Sequence, residues 1–219
     1  MVFQDRSEAG RRLAEALHAY RLEQSVVLAV PRGGVPVAAE VRIALSAPLD
    51  VVIAHKINVR DQPELAIGAV AEGVELAVVN NTHAMAMAGV TDAEFAAVCE
   101  RERREIERER RRYLGDRKPV AIEGQTAIVI DDGSATVAMV RAALLGVRTH
   151  KPSKLVFGVP VAPESALAVL RREADDVVCV GIREEFGAIG LFYRDFRPVS
   201  DVDLVSLLTR YRPAAAWAR

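Results

Sequence analysis

An α/β fold, with a mostly parallel central sheet and helices on both faces, is what this sequence predicts. Three observations carry that prediction. Short apolar runs alternate with amphipathic stretches of helical length, the pattern of βα units. The runs lack polar alternation, as strands buried on both faces do. Three of them stop at unusual residues: Pro31-Arg32-Gly33-Gly34, His55-Lys56, and Asp131-Asp132-Gly133-Ser134-Ala135-Thr136. In open α/β sheets, ligands bind beyond the carboxyl ends of the strands.

Taken in order, residues 7–20 have apolar positions at helical spacing, with Ser7 as the expected N-cap. Val26 to Val30 is a buried strand closed by the glycine-containing loop. A helix follows over about 35–46. Val51 to Ala54 is the second strand, ending at His55-Lys56. Residues 57–68 begin polar and contain Pro63, so they are expected to form a flexible loop. Short strands near 66–71 and 75–80, joined by Glu72-Gly73, suggest a hairpin.

Residues 92–114 predict a long helix whose second half is almost entirely charged. Glu100/Arg104 and Glu107/Arg111 are four apart in the favourable orientation. Cys99, Ile106 and Tyr113 leave a narrow apolar seam, so this is a solvated outer helix. Strands at 127–130, 155–159 and 177–182 then alternate with helices at 136–147, 164–173 and 201–210, the last capped by Ser200. With no repeat, no low-complexity linker and 219 residues, the expectation is one domain over 1–219.

Composition excludes several classes. The apolar fraction of 51% supports a sizeable core, and a net charge of −1 gives no global attraction to nucleic acid or anionic membranes. No apolar run approaches the ~18 residues of a membrane span, and the first residues lack a secretory apolar segment. A cytoplasmic protein is therefore expected. The two cysteines and four histidines have no metal-ligand spacing. Val74-Glu75 stands where a Walker motif needs Lys-Ser/Thr, and no dinucleotide fingerprint or hydrolase elbow is present.

Asp131 and Asp132 carry the most chemistry. Adjacent carboxylates after an apolar strand are costly to bury without partners. They suit the neighbouring hydroxyls of a ribose, or magnesium through water. The helix that follows offers free N–H groups to a phosphate. The competing structural reading is an Asp N-cap beside a solvent-facing neighbour.

Ala127 to Thr136, AIVIDDGSAT, resembles the 5-phosphoribosyl-1-pyrophosphate (PRPP) motif of type I phosphoribosyltransferases. The resemblance extends to Pro31-Arg32-Gly33-Gly34, similar to that family's pyrophosphate loop. Lys56 looks like its pyrophosphate-contacting basic residue. Residues 63–70 resemble a bacterial branch with an undefined acceptor. Motif and strand order agree over 25–200.

The resemblance implies a type I fold with a small hood at about 183–199. It implies an Mg-dependent transferase moving the phosphoribosyl group from PRPP to a nitrogen acceptor, and releasing pyrophosphate. Asp131 and Asp132 would hold the ribose. Gly133, Ser134, Ala135, Thr136, Val137, Ala138 and Met139 would form the 5-phosphate loop. Arg32, Gly33, Gly34 and Lys56 would face pyrophosphate, with magnesium held through pyrophosphate and water, and 57–68 would close as a lid.

Phe186, Tyr193 and Phe196 would form the acceptor hood, with Glu185 and Asp195 as hydrogen-bonding partners. Partners would be small molecules, with no nucleic acid and no membrane. The oligomeric state is open, a homo-oligomer included. One departure from the pattern is Val137 where the family has glycine, with Met139 in place of a hydroxyl residue. A β-branched residue there implies backbone strain and a weakened phosphate loop. That motivates an alternative: a non-catalytic nucleotide- or PRPP-binding regulator.

Overall fold

The computed structural model describes residues 2–60, 62–133, 137–184 and 187–210. Its centre is a five-stranded parallel sheet of β1 (Ser25–Ala29), β2 (Leu49–Val51), β6 (Thr126–Ile130), β7 (Lys154–Pro163) and β8 (Asp176–Arg183). The spatial order is β2-β1-β6-β7-β8. β1 and β6 are neighbours in parallel, with Ala29 opposite Ile130, so the two chemically unusual loops leave the sheet side by side.

Both central strands are buried throughout, and period-2 alternation assigns their side chains to two cores. Val27, Ala29, Ile128 and Ile130 face α1 (Arg6–Ala16), α2 (Gly34–Leu45), α4 (Asp92–Leu114) and α7 (Asp201–Arg210). Val26, Leu28, Val30, Ala127 and Val129 face α5 (Val137–Arg148) and α6 (Glu164–Leu170). Two-sided burial is why the strands read as unbroken apolar runs.

Beside this sheet stands an antiparallel one, β3 (Ala54–Val59), β4 (Gln62–Ala71) and β5 (Ala77–Asn80). The β4–β5 hairpin matches the expectation. Residues 57–68 do not form the expected loop: Asn58 pairs with Ala66 and Val59 with Gln62, in a register broken by bulges. Bulges let an antiparallel edge carry an extra residue and a proline, so Pro63 does not end the strand. A short helix, α3 (Thr82–Ala88), capped by Asn81, was not expected.

Local chemistry sets the helix ends. Asp5, not Ser7, caps α1, accepting from the Glu8 N–H at 2.8 Å. Thr91 and Glu94 make a reciprocal capping box on α4. Ser200 caps α7 by accepting from the Asp203 N–H at 3.1 Å. On α4, Cys99, Ile106 and Tyr113 are buried as the seam predicts, and both four-apart ion pairs form. His55 turns toward α4, with Nδ1 3.0 Å from Glu102 and Nε2 3.2 Å from Glu109. Strand alternation sends exposed Lys56 the other way. No helix among the described residues is long and apolar enough to cross a membrane.

Candidate active site

The site grows from two adjacent strand ends. After β6, Asp131 and Asp132 are 9% and 8% exposed. The competing reading, with one of them solvent-facing, is therefore set aside. Asp131 Oδ1 accepts the Asp132 N–H at 2.9 Å. Asp132 Oδ2 accepts Arg6 Nε at 2.7 Å. Tyr193 donates its hydroxyl to the Asp132 carbonyl at 2.5 Å.

Burial, and then the charge of Asp132, push the Asp131 carboxyl well above the usual carboxylate range. Two neighbouring buried acids cannot both ionise cheaply.

The Pro31–Gly34 loop lies against this pair. A Cβ on Gly33 would overlap the Asp132 carboxylate, and one on Gly34 would stand 2.7 Å from the Ile130 carbonyl. Glycine here is a demand for close approach. Gly33→Ala should displace the Asp132 carboxylate against its tie to Arg6. The expected result is weakened binding of ribose phosphates together with a lower melting temperature, checked by calorimetry and a thermal melt.

The peptide between Pro31 and Arg32 is cis. Arg32 leaves this loop with its side chain 57% exposed and Nη1 3.4 Å from Asp201 Oδ1. Gly33 caps α2 and Gly34 opens it, the Gly34 and Val35 N–H groups donating to the Val30 and Arg32 carbonyls at 3.1 and 3.2 Å.

The remaining expected residues divide. Lys56 lies on β3, in the antiparallel sheet rather than at the end of a central strand. Val137, Ala138 and Met139 open α5 and pack partly buried against the α5–α6 core. The strain expected at Val137 is absent, because its helical backbone lies outside the left-handed region. Ser134, Ala135 and Thr136 lie outside the described residues, as do Glu185 and Phe186.

Gly133 is approached by Ile189, the start of a 3-10 turn over Ile189–Phe192. Tyr193 is not an open platform for a planar acceptor. The residue is 5% exposed, its ring is 5.4 Å from Phe3 and 5.0 Å from Phe196 between centroids, and its hydroxyl is spent on the Asp132 carbonyl. Burial and the neighbouring Asp132 raise its phenol, so it remains a donor. Phe196 lies under the Arg6 guanidinium, 3.9 Å from its ring centroid, and Asp195 accepts from Arg197.

Sequence reading missed Arg6, the residue closest in chemistry to the acidic pair. It is 126 positions from Asp132, and an arginine in the first turn of a helix carries no signal of its own. The segment just before that helix is tied to residues 192–194: the Phe3 N–H donates to the Phe192 carbonyl at 2.8 Å and the Arg194 N–H to the Phe3 carbonyl at 2.9 Å.

Among the described residues, no cluster of three acidic, histidine or cysteine side chains could itself hold a metal. The oxygen donors at Asp131 and Asp132 fit a magnesium ion held chiefly by substrate oxygens and water, as that ion commonly is.

Comparisons with known proteins bear on the family and the fold. The chain is 40% identical over 213 residues to a Mycobacterium tuberculosis protein, found in strains CDC 1551 and H37Rv, named "Putative phosphoribosyl transferase". That match covers 95% of this chain and 47% of the relative, so the chain spans about half the length of the curated relatives it matches. The crystal structure of TT1426 from Thermus thermophilus is 38% identical, with a TM-score of 0.81 over 97% of this chain and 100% of that one. Residues 4–196 match the phosphoribosyl transferase domain model, a span that runs from the Asp5 cap through both strand-end loops to Phe196. The chain belongs to the phosphoribosyl transferase domain family.

Proposed function

We propose that this chain binds PRPP at the Asp131–Asp132 pair and transfers its phosphoribosyl group to a nitrogen acceptor. The observation that carries the reading is the buried acidic pair lying in contact with the Gly33–Gly34 loop. A sugar diol and an adjoining diphosphate need just that juxtaposition. Asp132, tied to Arg6, is the acceptor for a ribose hydroxyl. Asp131 Oδ1 is taken by the Asp132 N–H, leaving its second oxygen for the sugar.

The reaction breaks the bond between the anomeric carbon and the pyrophosphate oxygen. That oxygen keeps the bonding pair, and the acceptor nitrogen supplies the new one. Positive charge develops on the ribose, beside the carboxylate of Asp132, while Arg32 would stabilise the leaving group. Arg32 is largely exposed and only loosely paired with Asp201, so it can turn to pyrophosphate at little cost. Magnesium, when bound, would neutralise pyrophosphate oxygens. The acceptor nitrogen loses its proton to solvent or a nearby base.

The regulator alternative rests on Val137 and Met139. Both are used in core packing, so restoring Gly and Thr would remove apolar contacts as well as change the loop. Their identity therefore does not by itself argue against turnover.

The test is ligand-dependent stabilisation. PRPP with magnesium at 100 times its dissociation constant should add about 2.7 kcal/mol of stability. Free adenine, hypoxanthine or uracil alone should add less. Lys56, on the exposed face of β3, should matter to the leaving group only. Lys56→Ala is expected to weaken PRPP and pyrophosphate about tenfold, consistent with one charged contact, and to leave nucleoside monophosphates unchanged. Equal losses for all three ligands would assign Lys56 another role.

A further inference from the structure

Arg6 is held from several sides. Its Nε donates to Asp132 Oδ2 at 2.7 Å and its Nη1 to the Arg197 carbonyl at 2.9 Å. Its guanidinium stacks on Phe196, 3.9 Å from the ring centroid, with Tyr193 at 6.0 Å. The ion pair is nearly buried, with side chains 10% and 11% exposed. Exposed ion pairs are mobile and weak; this one has neither freedom.

The backbone around Arg6 is fixed too. Phe3 forms a parallel bridge with Tyr193, and the Asp195 N–H donates to Gln4 at 2.9 Å. Asp5 caps the helix one residue earlier. One guanidinium therefore joins helix α1, the 189–197 segment and the acidic strand end.

A carboxylate with one oxygen held can rotate little, so its other oxygen faces one direction. A ribose hydroxyl gains most from an acceptor oriented in advance, because no ordering cost falls on binding. We propose that Arg6 is a positioning residue for the ribose site: it fixes the orientation of the Asp132 carboxylate and links it to the 189–197 segment. Ligands carrying a ribose then depend on Arg6, while pyrophosphate alone does not. This inference rests on the phosphoribosyl reading of the acidic pair.

Calorimetry on the full chain tests it, using PRPP with magnesium, ribose 5-phosphate and pyrophosphate as probes. Arg6→Gln should weaken PRPP and ribose 5-phosphate at least about tenfold, the size of a lost charge-assisted hydrogen bond. Pyrophosphate should change less than about twofold on the same scale. Arg6→Lys keeps the charge but has no second planar donor for the Arg197 carbonyl, and should recover part of the loss.

A merely structural arginine would lower all three affinities together; that result overturns the inference. Parent-like PRPP and ribose 5-phosphate affinities in folded Arg6→Gln also overturn it, while the acidic-pair reading stands. If Arg6→Gln fails to fold, Arg6→Lys carries the test, and parent-like ribose affinity in it overturns the inference. A parent protein that binds neither PRPP nor ribose 5-phosphate overturns both.

Discussion

Asp131→Asn combined with Asp132→Asn is expected to reduce PRPP affinity at least about a hundredfold, since each charge-assisted hydrogen bond to a carboxylate is worth about 1.5–3 kcal/mol. The single Asp131→Asn should at the same time raise stability near neutral pH. Burial raises this carboxyl above its ordinary value, so its contribution is greatest when it is protonated. That contribution is fully present below the unfolded value of about 3.9, and is lost as pH rises through the raised native one.

An amide never ionises, and its oxygen can still accept the Asp132 N–H. The stability advantage of Asp131→Asn should therefore vanish in acid and grow toward neutrality. Each kcal/mol should appear as about 2–4 °C in melting temperature. A difference between parent and variant that does not change from pH 4 to 8 would contradict the buried, strained charge. Calorimetric affinity for PRPP unchanged in the folded double variant would sink the site assignment.

Arg110→Ala is expected to produce the largest stability loss, about 3 kcal/mol, at the lower end for breaking a buried ion pair. Asp50 is 2% exposed on the edge strand β2. Arg110 reaches it from α4, with Nη2 at 3.3 and 3.4 Å, while Nη1 is 2.8 Å from Glu72. Glu72 in turn accepts the Ile53 N–H at 2.9 Å.

This guanidinium thus joins α4, the parallel sheet and the antiparallel sheet where they meet. The N–H groups of Val51 and Val120 each reach Asp50 at 2.8 Å, and Arg117 Nη2 lies 3.8 Å away. These groups keep the loss near the lower bound. Burial already raises the Glu72 carboxyl and Arg110 opposes that shift, so the variant should hold Glu72 still more readily protonated. The melting temperature should fall by about 6–12 °C at neutral pH. A fall under about 2 °C would show that Arg110 is dispensable to the joint between the sheets.

What the sequence made legible follows from physics that acts locally. Strands buried on both faces must be continuously apolar, so Val26 to Ala29 and Ala127 to Ile130 stand out unaided. The seam of Cys99, Ile106 and Tyr113 emerges from a helix otherwise charged, because only one stripe meets the core. The acidic pair and the glycine loop are conspicuous since such residues are costly at a strand end.

What was hidden depends on tertiary contact. Pro63 and its polar neighbours look like a loop, yet a bulged hairpin accommodates them. α3, built of alanine, methionine and two polar residues, has too short a period to announce itself. The Arg6–Asp132 and Arg110–Asp50 pairs join residues 126 and 60 positions apart, and no local pattern encodes either. Tyr193 is a buried prop for Asp132 rather than an open platform, a distinction that composition cannot make.

The most direct measurement is pyrophosphate release from PRPP with magnesium, in the presence and absence of nitrogenous acceptors. The expected result is release that requires both protein and acceptor, and that disappears in Asp131→Asn with Asp132→Asn. A protein that binds PRPP but releases no pyrophosphate with any purine, pyrimidine or amine acceptor would contradict the transferase, and leave a PRPP-binding regulator in its place.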